Sequence, residues 1–175
     1  SAPISRKSPS LGAFTRILET LGQRADTVDK AERWFGQHAK VLAVYVPSLR
    51  RLPGQERYPE VVPLDANRAR IRVFQAVRQV LTSYLGDRRC MLILEDLQWA
   101  DELSLGVLTT LRRVVKDRPW LVLGTYRSDE VFEGLEQFVK SDGVDVLAAL
   151  AEELLVGQAL GDHDVRHRVD EGHVG

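Results

Sequence analysis

Glu95 and Asp96 stand side by side directly after the apolar run Met91-Leu92-Ile93-Leu94, and Leu97-Gln98-Trp99-Ala100-Asp101 follows them. A run of that length suits a fully buried strand, and the two carboxylates then fall where the strand leaves the core. Paired acids at the C-terminal end of a strand suit magnesium-assisted phosphate chemistry. Glu95 can hold the hydrated cation, which keeps most of its waters, while Asp96 orients or activates an attacking water. The plainer reading is a strand end with solvated acids, and Asp101 capping the next helix. A second group lies in Leu121-Val122-Leu123-Gly124-Thr125-Tyr126-Arg127, followed by Ser128-Asp129-Glu130. A strand ending in a polar residue and an arginine presents a guanidinium that can bind a terminal phosphate or sense its loss. Its plainer reading is Arg127 paired on the surface with Asp129 or Glu130.

These groups need a scaffold, and the hydrophobic periodicity supplies one. Leu11, Phe14, Ile17, Leu18 and Leu21 predict a helix over about 11–24. Asp26, Thr27 and Asp29 cap a second helix that Pro47 ends, and residues 47–63, with four further turn formers, read as a polar loop. Asp65 opens a third helix with Ile71, Phe74, Val77, Val80, Leu81, Tyr84 and Leu85 as its stripe, closed by Gly86-Asp87. The pattern then turns to α/β. A strand over 90–95, a helix over 103–115, the turn Asp117-Arg118-Pro119 and a strand over 120–126 make a right-handed crossover unit. Its strand ends lie together, where open α/β sheets place their ligands. Residues 131–139 and 144–160 read as helices, and 161–175 as a polar tail. With two strands only, the unit has too little sheet to stand alone. The chain therefore reads as part of a larger domain.

The string LILEDLQWAD resembles the Walker B segment of Orc1-like AAA ATPase domains in STAND-class bacterial regulators, including large LuxR-type transcription factors, adenylyl cyclases and protein kinases. Glu95 stands where that family commonly has Asp. The strand ending Thr125-Tyr126-Arg127 resembles the sensor 1 strand, one helix further on. The resemblance is specific over residues 68–131. It implies a three-layer α/β/α P-loop NTPase fold over residues 1–160, with a helical segment (11–86), a Walker B to sensor 1 segment (88–131) and C-terminal helices (131–160). It also implies Mg2+ and ATP as cofactors, Glu95 and Asp96 as catalytic residues with Glu95 on magnesium through water, and Thr125 and Arg127 at the nucleotide. The role implied is a nucleotide-driven switch acting on other domains of a parent polypeptide. A phosphate-binding loop requires Gly-x-x-x-x-Gly-Lys-Ser/Thr. None of the five lysines follows a glycine, so that loop is absent from these 175 residues. The chain alone is accordingly expected to bind ATP weakly or not at all. The alternative is a non-enzymatic scaffold module. Loss of the loop-bearing strand would also leave the edge of Trp120–Thr125 open to self-association.

Other classes find little support. A net charge of −1 argues against a nucleic-acid surface made by bulk charge. The single Cys90 allows no disulfide framework and fits a reducing, cytoplasmic compartment; it reads as a small buried hydrophobe. No apolar run is long enough to span a membrane. The N-terminal SAPISRKSPSLG has no apolar core for a signal peptide and no initiator Met, so it reads as a processing boundary. His163 and His167 are spaced like zinc ligands, but the intervening residues lack the glutamate and no third ligand is evident. His38 reads as a packed surface residue. Trp34, Phe35, Trp99 and Trp120 are all expected to pack.

Overall fold

The computed structural model describes residues 11–141, 144–148 and 153–157. Helix α1 (Gly12–Arg24) buries Phe14, Leu18 and Leu21, the one-face spacing its sequence predicts. The long second helix expected before Pro47 is two short ones, α2 (Val28–Trp34) and α3 (His38–Leu42). The break is Gly36, whose backbone adopts a φ of +47°. Glycine reaches that conformation at no steric cost, and the Gln55 side chain donates from Nε2 to the Gly36 carbonyl at 3.2 Å. Thr27 accepts from the Lys30 amide and caps α2 as expected. The stretch expected as a polar loop is partly core. Its two tight helical turns, Pro47–Arg51 and Gln55–Arg57, bury Leu49 and Leu52 against the helices.

Helix α4 (Ala66–Leu85) starts at Asp65, which accepts from the Arg68 amide at 3.0 Å, and stops at Gly86 with a φ of +57°. Its buried stripe is Val73, Ala76, Val77, Val80 and Leu81. Ile71, expected inward, is 52% exposed. Strand β1 (Cys90–Leu94), helix α5 (Glu102–Val115) and strand β2 (Trp120–Tyr126) form the expected parallel crossover, in register from Cys90↔Trp120 to Leu94↔Gly124.

Helix α6 (Glu133–Val139) follows within the expected range, but the described residues of 144–160 form strands where a helix was expected. Strands β3 (Asp145–Ala148) and β4 (Glu153–Gly157) form an antiparallel pair, and β4 runs antiparallel to β2 from Val122↔Gly157 to Tyr126↔Glu153. The sheet is thus four-stranded and mixed, in the order β1-β2-β4-β3. The edge of β2 expected to be open is covered. Among the described residues the two outer strands, β1 and β3, each keep one unpaired edge.

Helices lie on one face of the sheet. Leu81, Leu85, Leu111 and Val115 line that face with Leu92 and Val122. Leu81 and Leu111 belong to the main core with Phe14, Phe35 and Leu135, while Val115 and Trp120 form a smaller cluster with Leu85 and Cys90. On the opposite face Met91 and Ile93 are 59% and 54% exposed. The expected fully buried strand is therefore a half-covered edge strand, and among the described residues the architecture has two layers where three were expected. Trp34 and Phe35 pack as expected, Trp34 edge-on to Tyr84 at 5.0 Å between ring centroids. Trp120 is buried, with Arg118 over its ring. Cys90 is half-buried, and burial pushes its thiol up from the ordinary value, in keeping with an unreactive apolar role. His38 is half-buried as well, and burial holds its imidazole below the ordinary value. No helix among the described residues is long and apolar enough to cross a membrane.

Candidate functional site

The chain turns sharply as it leaves β1. Asp96 has φ 58° and ψ 47°, and among the described residues it alone adopts positive φ without being glycine. Left-handed backbone costs an L-residue about 1–2 kcal/mol, least for Asp and Asn. Here that conformation is held from three sides. The Asp96 amide donates to Thr125 Oγ1 at 3.3 Å, tying the end of β1 to the end of β2. Gln98 Nε2 donates to Asp96 Oδ1 at 3.1 Å. Gln98 Oε1 accepts from the Arg127 amide at 3.2 Å. Gln98 is only 7% exposed, so its two bonds are partly shielded from water, while the Asp96 amide bond to Thr125 is exposed.

The turn Leu97–Trp99 directs Leu97 and Gln98 inward and leaves Trp99 70% exposed, against the expectation that it packs. The tight turn admits two of three successive side chains to the interior, and the third faces solvent. Asp101 then caps α5. Its Oδ1 accepts from the Ser104 amide at 2.9 Å, and its Oδ2 accepts from Ser104 Oγ and from the Gly12 amide, both at 3.0 Å. The capping role read from sequence is correct. The bond to Gly12 adds a function, because it satisfies an amide at the otherwise uncapped N-terminus of α1. Replacing Asp101 with alanine is expected to lower stability by about 2 kcal/mol, the upper end for a lost cap. Urea unfolding of the two proteins measures it.

The predicted site residues divide into two groups. Glu95, Asp96 and Thr125 come together at the carboxyl ends of β1 and β2, where the parallel crossover predicts them. Arg127 joins them through its backbone only. Its guanidinium turns to Glu130 at 2.8 Å and Asp129 at 3.7 Å, the plainer of its two sequence readings. Gln98 was missed. A lone amide between Leu97 and Trp99 was the available signal, since a polar residue within a buried turn requires partners. Beside the acids lies a groove of about 620 Å³ between α1 and the end of β1, with Arg16, Ile17 and Arg24 facing Ile93, Glu95 and Asp96.

The donor set suits a hard cation. The Glu95 carboxylate is exposed and has no hydrogen bond or ion pair among the described residues, while Asp96 keeps one oxygen beyond its bond to Gln98. One or two carboxylates plus water are enough for magnesium. No group of three or more His, Cys, Asp or Glu side chains gathers among the described residues, and His163 and His167 lie outside them. A nucleoside triphosphate is a different matter, because no loop of backbone amides with a following lysine is present to cradle its phosphates. Compared with protein-family models, with curated proteins and with solved structures, the chain has no match.

Proposed function

We propose that this chain is the acid-bearing part of an ATP-driven switch module in a bacterial signalling or transcription-regulatory protein. What supports the reading is the Asp96 amide bonded to Thr125 Oγ1, which holds both acids and the hydroxyl at the carboxyl ends of a parallel pair. Magnesium, when bound, supplies the charge that neutralises phosphate oxygens. Glu95 holds the hydrated ion from its exposed position. Asp96, with Oδ1 fixed by Gln98, points its remaining oxygen in a set direction to orient water. Arg127 starts on Glu130 and Asp129, and its release toward a phosphate would move the segment after β2.

The reading requires a phosphate cradle from polypeptide outside these residues. Titration calorimetry of the 175-residue chain with Mg-ATP is therefore expected to show nothing tighter than about 1 mM. With the cradle supplied in the parent polypeptide, Glu95→Gln is expected to slow ATP hydrolysis about 100-fold. Micromolar binding to the chain alone would overturn the expectation that the cradle lies outside it, and unchanged hydrolysis in the variant would overturn the reading.

One observation favours a second reading, a non-enzymatic scaffold. The strand β4 occupies the β2 edge that the ATPase resemblance assigns to the loop-bearing strand. A sheet already completed there has no place for that strand unless β4 moves.

A further inference from the structure

We infer that β1 is a self-association edge, and that its occupant is β1 of a second copy running antiparallel. The strand ends the sheet order, so one edge carries no strand partner among the described residues. Such an edge presents unpaired backbone groups and is a template for another chain. A groove of about 620 Å³ lies between α1 and the Ile93–Asp96 end of this strand, so α1 does not close off that end.

The side chains select which strand. Arg89, Met91, Ile93 and Glu95 alternate along β1 and its flanks, so they share one face. All four are exposed, and Met91 and Ile93 are among the largest exposed apolar side chains. Arg89 and Glu95 have no side-chain hydrogen bond or ion pair among the described residues. Place a two-fold axis through Leu92. Arg89 of each copy then faces Glu95 of the other, and Met91 faces Ile93. Every exposed side chain on that face meets one of complementary chemistry, which is the condition for an isologous contact. Opposite charges directly across an antiparallel pair stabilise it, and like charges there destabilise it. The pattern Arg-x-Met-x-Ile-x-Glu is therefore complementary to itself in reverse. A partner of uniform charge would satisfy only one end. This inference does not rest on the ATPase reading, but the two compete for Glu95, which pairs with Arg89 of the second copy here and holds magnesium there.

The test is sedimentation velocity of the whole chain over a concentration series. The wild type is expected to form dimers. Arg89→Glu and Glu95→Arg, each of which sets like charges opposite each other at both ends, should weaken dimerisation at least about tenfold. An equimolar mixture of these two variants should recover it as a heterodimer, because each end then pairs Glu with Arg. The double variant R89E/E95R should recover it too. Both positions are exposed, so circular dichroism should show unchanged folding. A wild type that stays monomeric throughout, or a dimer indifferent to the single reversals, overturns the inference. So does a mixture that fails to recover.

Discussion

Replacing Gly106 with alanine is expected to lower the stability of this chain by about 1–3 kcal/mol, the range for overpacking a filled core. In an ordinary helix interior the same change stabilises by about 1 kcal/mol, so the sign is diagnostic. A Cβ built on Gly106 falls 2.2 Å from Phe74 Cζ and 2.7 and 2.8 Å from its two Cε atoms. The ring of Phe74 thus meets α5 end-on, through the gap that the glycine leaves. No small adjustment relieves three contacts with one rigid ring. Either Phe74 leaves its rotamer or α4 and α5 move apart. Both helices cover the sheet, so parting them uncovers Leu92 and Val122 as well. Urea unfolding measures the change. Adding Phe74→Leu to the alanine variant should recover at least half of the loss, because the shorter side chain vacates the space. A stabilised Gly106→Ala protein would show that α4 and α5 yield at this contact.

That contact illustrates which parts of the molecule could be read in advance. Local signals held. Asp65, Thr27 and Asp101 cap the helices they precede, and Gly86 closes α4, because a cap acts on amides three residues away. The acid pair was legible for the same reason, as a short apolar run passing abruptly into charge. Features set by distant partners were not. Residues 144–160 mix Ala and Leu with Val, and so short an apolar stretch satisfies helical and strand patterns alike. Its strands form because the β2 edge offers hydrogen bonds from a remote part of the chain. Met91 and Ile93 read as buried because an apolar run does not reveal that only one face of a sheet is covered. Gln98 followed the same rule, since its partners Asp96 and Arg127 sit on different strand ends. Phe74 could be placed on a helix, but not opposite Gly106.

Two substitutions at Asp96 are expected to separate its chemistry from its geometry. Asp96→Asn should leave stability within about 1 kcal/mol of the wild type, since asparagine accepts left-handed backbone as readily as aspartate. Its amide oxygen can also accept from Gln98 Nε2, preserving the bond now made at 3.1 Å. Asp96→Val should cost about 3 kcal/mol. A β-branched residue at φ 58° is strained, and Gln98 loses an acceptor in a position where water hardly reaches. The Thr125 hydroxyl should feel the same loss, because its bond to the Asp96 amide exists only in this backbone conformation. Chemical denaturation of the three proteins gives the stabilities. Hydrolysis by the parent polypeptide gives the other axis. On the ATPase reading Asp96→Asn lowers turnover about 100-fold while the fold remains, because a neutral amide cannot polarise water as a carboxylate does. On the scaffold reading Asp96→Asn is silent, and Asp96→Val acts through stability alone. A left-handed aspartate clamped by a buried glutamine is therefore informative on both axes. If asparagine matches aspartate in turnover and in stability, the clamp serves to join β1 to β2, and the strain at this position belongs to architecture instead of catalysis.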